Sequence, residues 1–141
     1  MKILLFFCFQ LIAFAAFTQK ITYKDLVGTT WATNNLPASD SESYTFIDSS
    51  HFDYYYISKK EDGDIVETEQ FKYSLDTSYT PTLWYFETMG RKNYQTISNY
   101  CFIKITGKNI LETQFINRAV KPRKDEYNEN IKVAYSLRKI I

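Results

Sequence analysis

The stretch Ile103-Lys104-Ile105-Thr106-Gly107-Lys108-Asn109-Ile110-Leu111 decides the fold class. Two runs of apolar residues meet at a short polar link that contains a glycine. Period-two alternation places every second side chain on one face of a strand. A short Gly-containing link between two such runs turns the chain back on itself as an antiparallel hairpin. The pattern predicts strands from Tyr94 to Ile105 and from Ile110 to Ile116. Cys101, Ile103 and Ile105 then share one face of the first strand, and Leu111, Thr113 and Phe115 share one face of the second.

The same signals repeat on either side. Further strands are expected at Thr29 to Thr33, Tyr44 to Ile47, His51 to Ser58, Ile65 to Leu75, Thr82 to Glu87 and Ile131 to Ile140. Leu36 to Asp40, Glu61 to Asp64, Asp76 to Pro81 and Asn117 to Asn130 read as turns and loops, rich in Asp, Asn, Gly, Pro and Ser. A short helical turn fits Tyr23 to Leu26. Phe52, Tyr54 and Tyr56 share a face, as do Phe71, Tyr73 and Leu75, and Trp84 and Phe86. One dry and one wetter face per strand predicts an all-β, antiparallel meander of about eight strands. Closing it into a barrel removes the sheet edges.

The first residues read differently. Lys2 precedes a nearly unbroken apolar run from Ile3 to Phe17, followed by Thr18, with alanines at 13, 15 and 16. That order predicts a cleaved export signal over residues 1–18 and one domain over 19–141. At about 15 residues the run falls short of the roughly 20 that cross a bilayer, so no stable membrane insertion is expected after cleavage. The expected location is periplasmic or extracellular.

Charge excludes one class of partner. The chain has 17 Lys and Arg against 16 Asp and Glu, and the basic run Lys121-Pro122-Arg123-Lys124 is answered by Asp125-Glu126. This is no electrostatic footprint for nucleic acid. Cys8 lies in the signal, which leaves Cys101 as a buried, apolar strand residue. His51 with Asp53, and Glu67 with Glu69, each share a strand face. Both pairs read as solvated strand ends. A hydrolase built on either is the third reading, after two binding readings. With no His/Cys cluster, nucleophile elbow or phosphate loop, no metal, cofactor or catalysis is expected.

Several landmarks in order resemble the bacterial lipocalin-like domain proteins. They are Leu26-Val27-Gly28-Thr29-Thr30-Trp31, Tyr44-Thr45-Phe46 to Phe52, Tyr73-Ser74-Leu75-Asp76 followed by Thr80-Pro81 and Leu83-Trp84-Tyr85-Phe86, Ile103 to Leu111, and Lys121-Pro122-Arg123 with Leu137-Arg138. Two residues separate Gly28 from Trp31, where the lipocalin signature has one. A bulge would absorb the difference. The resemblance implies that Trp31 closes one end of the barrel beneath Arg138. The family is mostly of unknown function, and the first reading for this chain is a monomeric, non-catalytic carrier of a small apolar or amphipathic molecule. The candidate lining is Tyr54, Phe71, Tyr73, Trp84, Phe86 and Ile103. The alternative is a filled barrel that meets a protein partner through exposed tyrosines and the Asn117 to Asn130 loop.

Overall fold

The computed structural model describes residues 20–34, 36–89, 95–107, 109–116, 120–128 and 135–141. The expected export signal, Tyr94 and the first residues of the last predicted strand lie outside the described residues. A short helix, α1 (Tyr23–Leu26), precedes β1 (Thr30–Thr33), β2 (Asp40–Phe46), β3 (His51–Ser58) and β4 (Ile65–Asp76). β5 (Thr82–Met89), β6 (Thr96–Thr106), β7 (Ile110–Ile116) and β8 (Tyr135–Lys139) complete the order. Each strand pairs antiparallel with the next, and β1 also pairs with β8, so the meander closes as a barrel.

Strand ends shift where polar sequence hides pairing. β2 begins at Asp40, four positions before the expected Tyr44. The Asp40 carboxylate accepts from the Ser58 hydroxyl at 3.0 Å and from the Tyr56 hydroxyl at 3.1 Å. These bonds tie a run that reads as loop to the end of β3. Gly28 lies in the turn before β1, at φ +77°, and its N–H donates to the Phe46 carbonyl at 2.8 Å. The extra residue between Gly28 and Trp31 is taken up in this turn. Thr30 faces outward to the Thr45 hydroxyl at 3.0 Å, and Thr29 is buried and serves Trp31.

The inner face carries the core. Trp31, Phe46, Phe52, Trp84, Cys101, Ile103, Leu111 and Leu137 are buried together. α1 plugs one end, the base, with Ile21 and Leu26 buried in the same cluster. Two contacts seat the plug: the Thr82 hydroxyl donates to the Ile21 carbonyl at 3.0 Å, and the Leu75 N–H donates to the Tyr23 hydroxyl at 3.0 Å. The opposite end, the mouth, is formed by the end of β1, the starts of β2 and β4, and the ends of β3 and β5.

The implied Trp31–Arg138 pair is not made. Arg138 lies opposite Ala32 and Ile110 in the two flanking ladders and is exposed. Neighbours on a strand point to opposite faces. Ala32 adjoins the inward Trp31, so Arg138 points outward. The indole Nε1–H instead donates to the Thr29 hydroxyl at 2.7 Å, which in turn donates to the Leu26 carbonyl.

Over residues 120–128, the described part of the expected Asn117 to Asn130 loop, the chain is irregular and mostly exposed as expected, and it also packs on the barrel wall. Tyr79, Leu83 and Phe102 form a second buried cluster on the outer face of β5 and β6, with Tyr127 packed against it. The Tyr79 hydroxyl donates to the Pro122 carbonyl at 2.7 Å, and Lys121 Nζ bonds Asp76 at 2.7 Å. Lys121 and Lys124 also lie 5.3 and 5.8 Å from the centre of the Tyr79 ring. Apolar residues spaced within a polar run hold this segment down, so it covers the barrel wall.

Candidate functional site: the barrel mouth

The interior is graded from base to mouth. Around Trp84 the rings are close: Phe86 at 4.7 Å, Phe52 at 5.2 Å, Phe46 at 5.6 Å and Tyr44 at 6.0 Å between centres. Above them Tyr54, Phe71 and Phe115 are only partly buried. Rings at these separations fill space and attract one another edge to face. The mouth therefore presents aromatic surface that the fold leaves partly uncovered.

One polar atom in this interior is unserved. Trp84 is fully buried, and its Nε1–H has no hydrogen-bond partner among the described residues. Indole offers one donor and no acceptor. A buried donor left unpaired costs about 1–3 kcal/mol. Trp31 makes a telling comparison, because its equally buried Nε1–H has the Thr29 hydroxyl.

Glu42 organises the rim. Its carboxylate accepts from the Thr33 hydroxyl at 2.7 Å and from the Tyr44 hydroxyl at 2.9 Å. Burial first, and the nearby Glu42 charge second, push the phenols of Tyr44 and Tyr54 upward, so both stay protonated donors. Across the mouth, Asn99 Nδ2 donates to the Thr88 hydroxyl at 3.1 Å and to the Phe86 carbonyl at 3.4 Å. The rim is thus hydroxyl, amide and carboxylate, over an aromatic floor.

The six lining residues read from the sequence all share the inner face, at different depths. Ile103, Tyr73 and Trp84 are core, and the Tyr73 hydroxyl donates to the Asp48 carbonyl near the base at 2.8 Å. Phe86 is buried just above Trp84. Tyr54 and Phe71, 6.3 Å apart, reach the mouth. Glu42, Tyr44, Thr33, Asn99 and Phe115 were missed. Glu42 and Tyr44 share parity on β2, a signal that opens only once β2 is read from Asp40.

The remaining candidates do not converge. His51 Nδ1 is 2.8 Å from the Ser50 hydroxyl and 3.4 Å from Asp48, whereas Asp53 accepts from Gln70 Nε2 at 2.9 Å. Glu69 is exposed opposite Tyr54, and Glu67 is half-buried opposite Tyr56. Cys101 is fully buried, which pushes its thiol pKa up and makes it inert. No cluster of three or more His, Cys, Asp or Glu side chains suits a metal among the described residues.

The outer wall has a groove of about 520 Å³ beside Asp76, Ser78, Leu83, Tyr85, Tyr100 and Lys121. Tyr85 and Tyr100 pack there with centres 5.1 Å apart and planes tilted by 35°. Comparison of the chain with family models, curated proteins and solved structures found no match.

Proposed function

We propose that this chain is an exported, lipocalin-like, non-catalytic binding protein that takes a small amphipathic molecule through the barrel mouth. The unserved Trp84 Nε1–H carries this reading. On this reading it takes an acceptor oxygen of a ligand that enters between the rings of the mouth. A ligand with a carbonyl, ether or hydroxyl would satisfy it, while its apolar body replaces partly exposed contacts at Tyr54 and Phe71. Ligand sites use apolar lining for affinity and a few polar groups for orientation.

The test uses the environment-sensitive ketone dye Prodan and the mature chain. Saturable one-to-one binding with a blue-shifted emission is expected. Phe71→Asp should abolish it by placing a charge on the mouth, and Trp84→Phe should weaken it about tenfold through loss of the donor. Absence of saturable binding, or undiminished binding by both variants, would sink the reading.

A surface-acting role is the second reading, favoured by the packed Tyr85–Tyr100 pair beside the outer groove. It makes Tyr100→Ala, rather than Phe71→Asp, the variant that loses a partner.

A further inference from the structure

The outer wall carries a second concave feature, beside the base half of β4. Three strands meet there in register. Ser74 lies opposite Tyr85, Tyr85 opposite Tyr100, and Asp76 opposite Leu83. Their neighbours Tyr73, Trp84 and Cys101 belong to the core, so alternation puts these side chains on the outer face. Lys121 reaches back to Asp76 from the segment over residues 120–128 and supplies one side. The groove so formed holds about 520 Å³, within the roughly 300–1,000 Å³ usual for small-molecule sites.

Aromatic surface makes the floor. Tyr85 and Tyr100 are both half-buried, with ring centres 5.1 Å apart and planes tilted by 35°. At that distance the rings touch, leave no slot between them and form one continuous plate. The Tyr85 hydroxyl donates to the Glu87 carboxylate and lies 3.5 Å from the Ser98 hydroxyl. The plate is therefore held in place before any ligand arrives, which lowers the cost of binding. Leu83 continues the floor with apolar surface.

The rim is polar but carries no net charge. Among the described residues that line the groove, only Asp76 and Lys121 are charged, and they are paired at 2.7 Å. Asp76 also accepts from the Ser78 hydroxyl at 2.6 Å and from the Ser78 N–H at 3.0 Å. A carboxylate has about four lone-pair sites, and an ammonium has three donors. The pair thus keeps capacity to accept and to donate, next to the exposed hydroxyls of Ser74 and Thr77.

These properties select the occupant. A compensated ion pair gives little net attraction to a cation or an anion. A proline-rich strand docks in slots between separated aromatic ridges, and the touching rings offer none. A pyranose ring with equatorial hydroxyls matches both surfaces. Its axial C–H face lies flat on an aromatic plate, and its edge hydroxyls donate and accept. We infer that this groove binds a neutral oligosaccharide of all-equatorial pyranose units, with one sugar face on the Tyr85–Tyr100 plate and vicinal hydroxyls on Asp76 and Lys121. The site stands apart from the barrel mouth, and it puts a sugar where the second reading puts a protein.

The experiment titrates cellotetraose into the isotope-labelled mature chain and follows the backbone amide resonances. Saturable shifts are expected at Ser74 to Ser78, Tyr85, Tyr100 and Lys121, and they should be insensitive to salt because the site is neutral. Tyr100→Ala should weaken binding at least about fivefold, whereas Tyr100→Phe should bind like the parent, because the ring face and not the hydroxyl is used. Lys121→Met should weaken it about threefold through the lost donor. Saturating Prodan should not displace the sugar, which separates this site from the mouth. No saturable shift up to about 20 mM, far above the roughly millimolar Kd of a weak site, would overturn the inference. So would shifts centred elsewhere, undiminished binding by Tyr100→Ala, or an octaproline peptide that moves the same resonances at lower concentration than the sugar.

Discussion

Gly28, Thr29 and Trp31 show how single residues fix the start of the barrel. Gly28 sits at φ +77° with open space around the position a Cβ would take, so the cost of Gly28→Ala is conformational. It should amount to about 1–2 kcal/mol. Thr29→Val keeps the shape and removes the acceptor of the Trp31 indole. Urea unfolding should show a loss of about 1–3 kcal/mol for this change, with Thr29→Ser close to the parent. A loss as large for the serine variant would contradict the hydroxyl's role. The glycine and tryptophan stand out in the sequence, but the division of labour between Thr29 and Thr30 does not. Both are threonines, and only the turn geometry assigns one inward and one outward. The bare Nε1–H of Trp84 was equally hidden, because a missing partner is a property of packing.

At the scale of elements, strands with mixed or apolar alternation were legible and polar ones were not. β3 and β7 fall where their patterns place them, whereas the start of β2 is concealed by Asp40-Ser41-Glu42-Ser43. Its pairing is enforced by cross-strand bonds to Asp40, which no local pattern records. The loops carry a pH-dependent contribution. The Ser50 hydroxyl first, with the Ser50 and His51 N–H groups, holds Asp48 down to about 2. Lys121 first, then Ser78, holds Asp76 down to about 2. Both groups titrate lower folded than unfolded, so the unfolded chain binds more protons between about pH 4 and 2. Stability should therefore be fully present above about pH 4 and fall as pH drops through that window. Asp48→Asn and Asp76→Asn should each flatten the dependence of the urea midpoint on pH. An unchanged slope in both variants would contradict these assignments.

On the scale of the whole molecule, one end of the barrel is plugged by α1 and the other keeps partly covered rings beneath a Glu42-centred rim. The meander and its closure could be read from alternation and turn spacing. The asymmetry of the two ends could not, because it depends on how far each inward residue lies from the plug. Cys101 reports on the integrity of the filled half: it should resist Ellman's reagent in the folded chain and react on unfolding. Rapid reaction in the native state would mean that the interior opens more than its packing implies. The proposed binding role rests on the difference between two buried indoles, one satisfied by Thr29 and one not. The most direct measurement follows the two tryptophan indole N–H resonances in a nitrogen–proton correlation spectrum while Prodan is added. The expected result is a saturable shift of the Trp84 resonance as its donor finds the ketone oxygen, with the Trp31 resonance nearly still. A Trp84 resonance unmoved at saturating dye, or one that moves less than that of Trp31, would contradict a ligand site above Trp84.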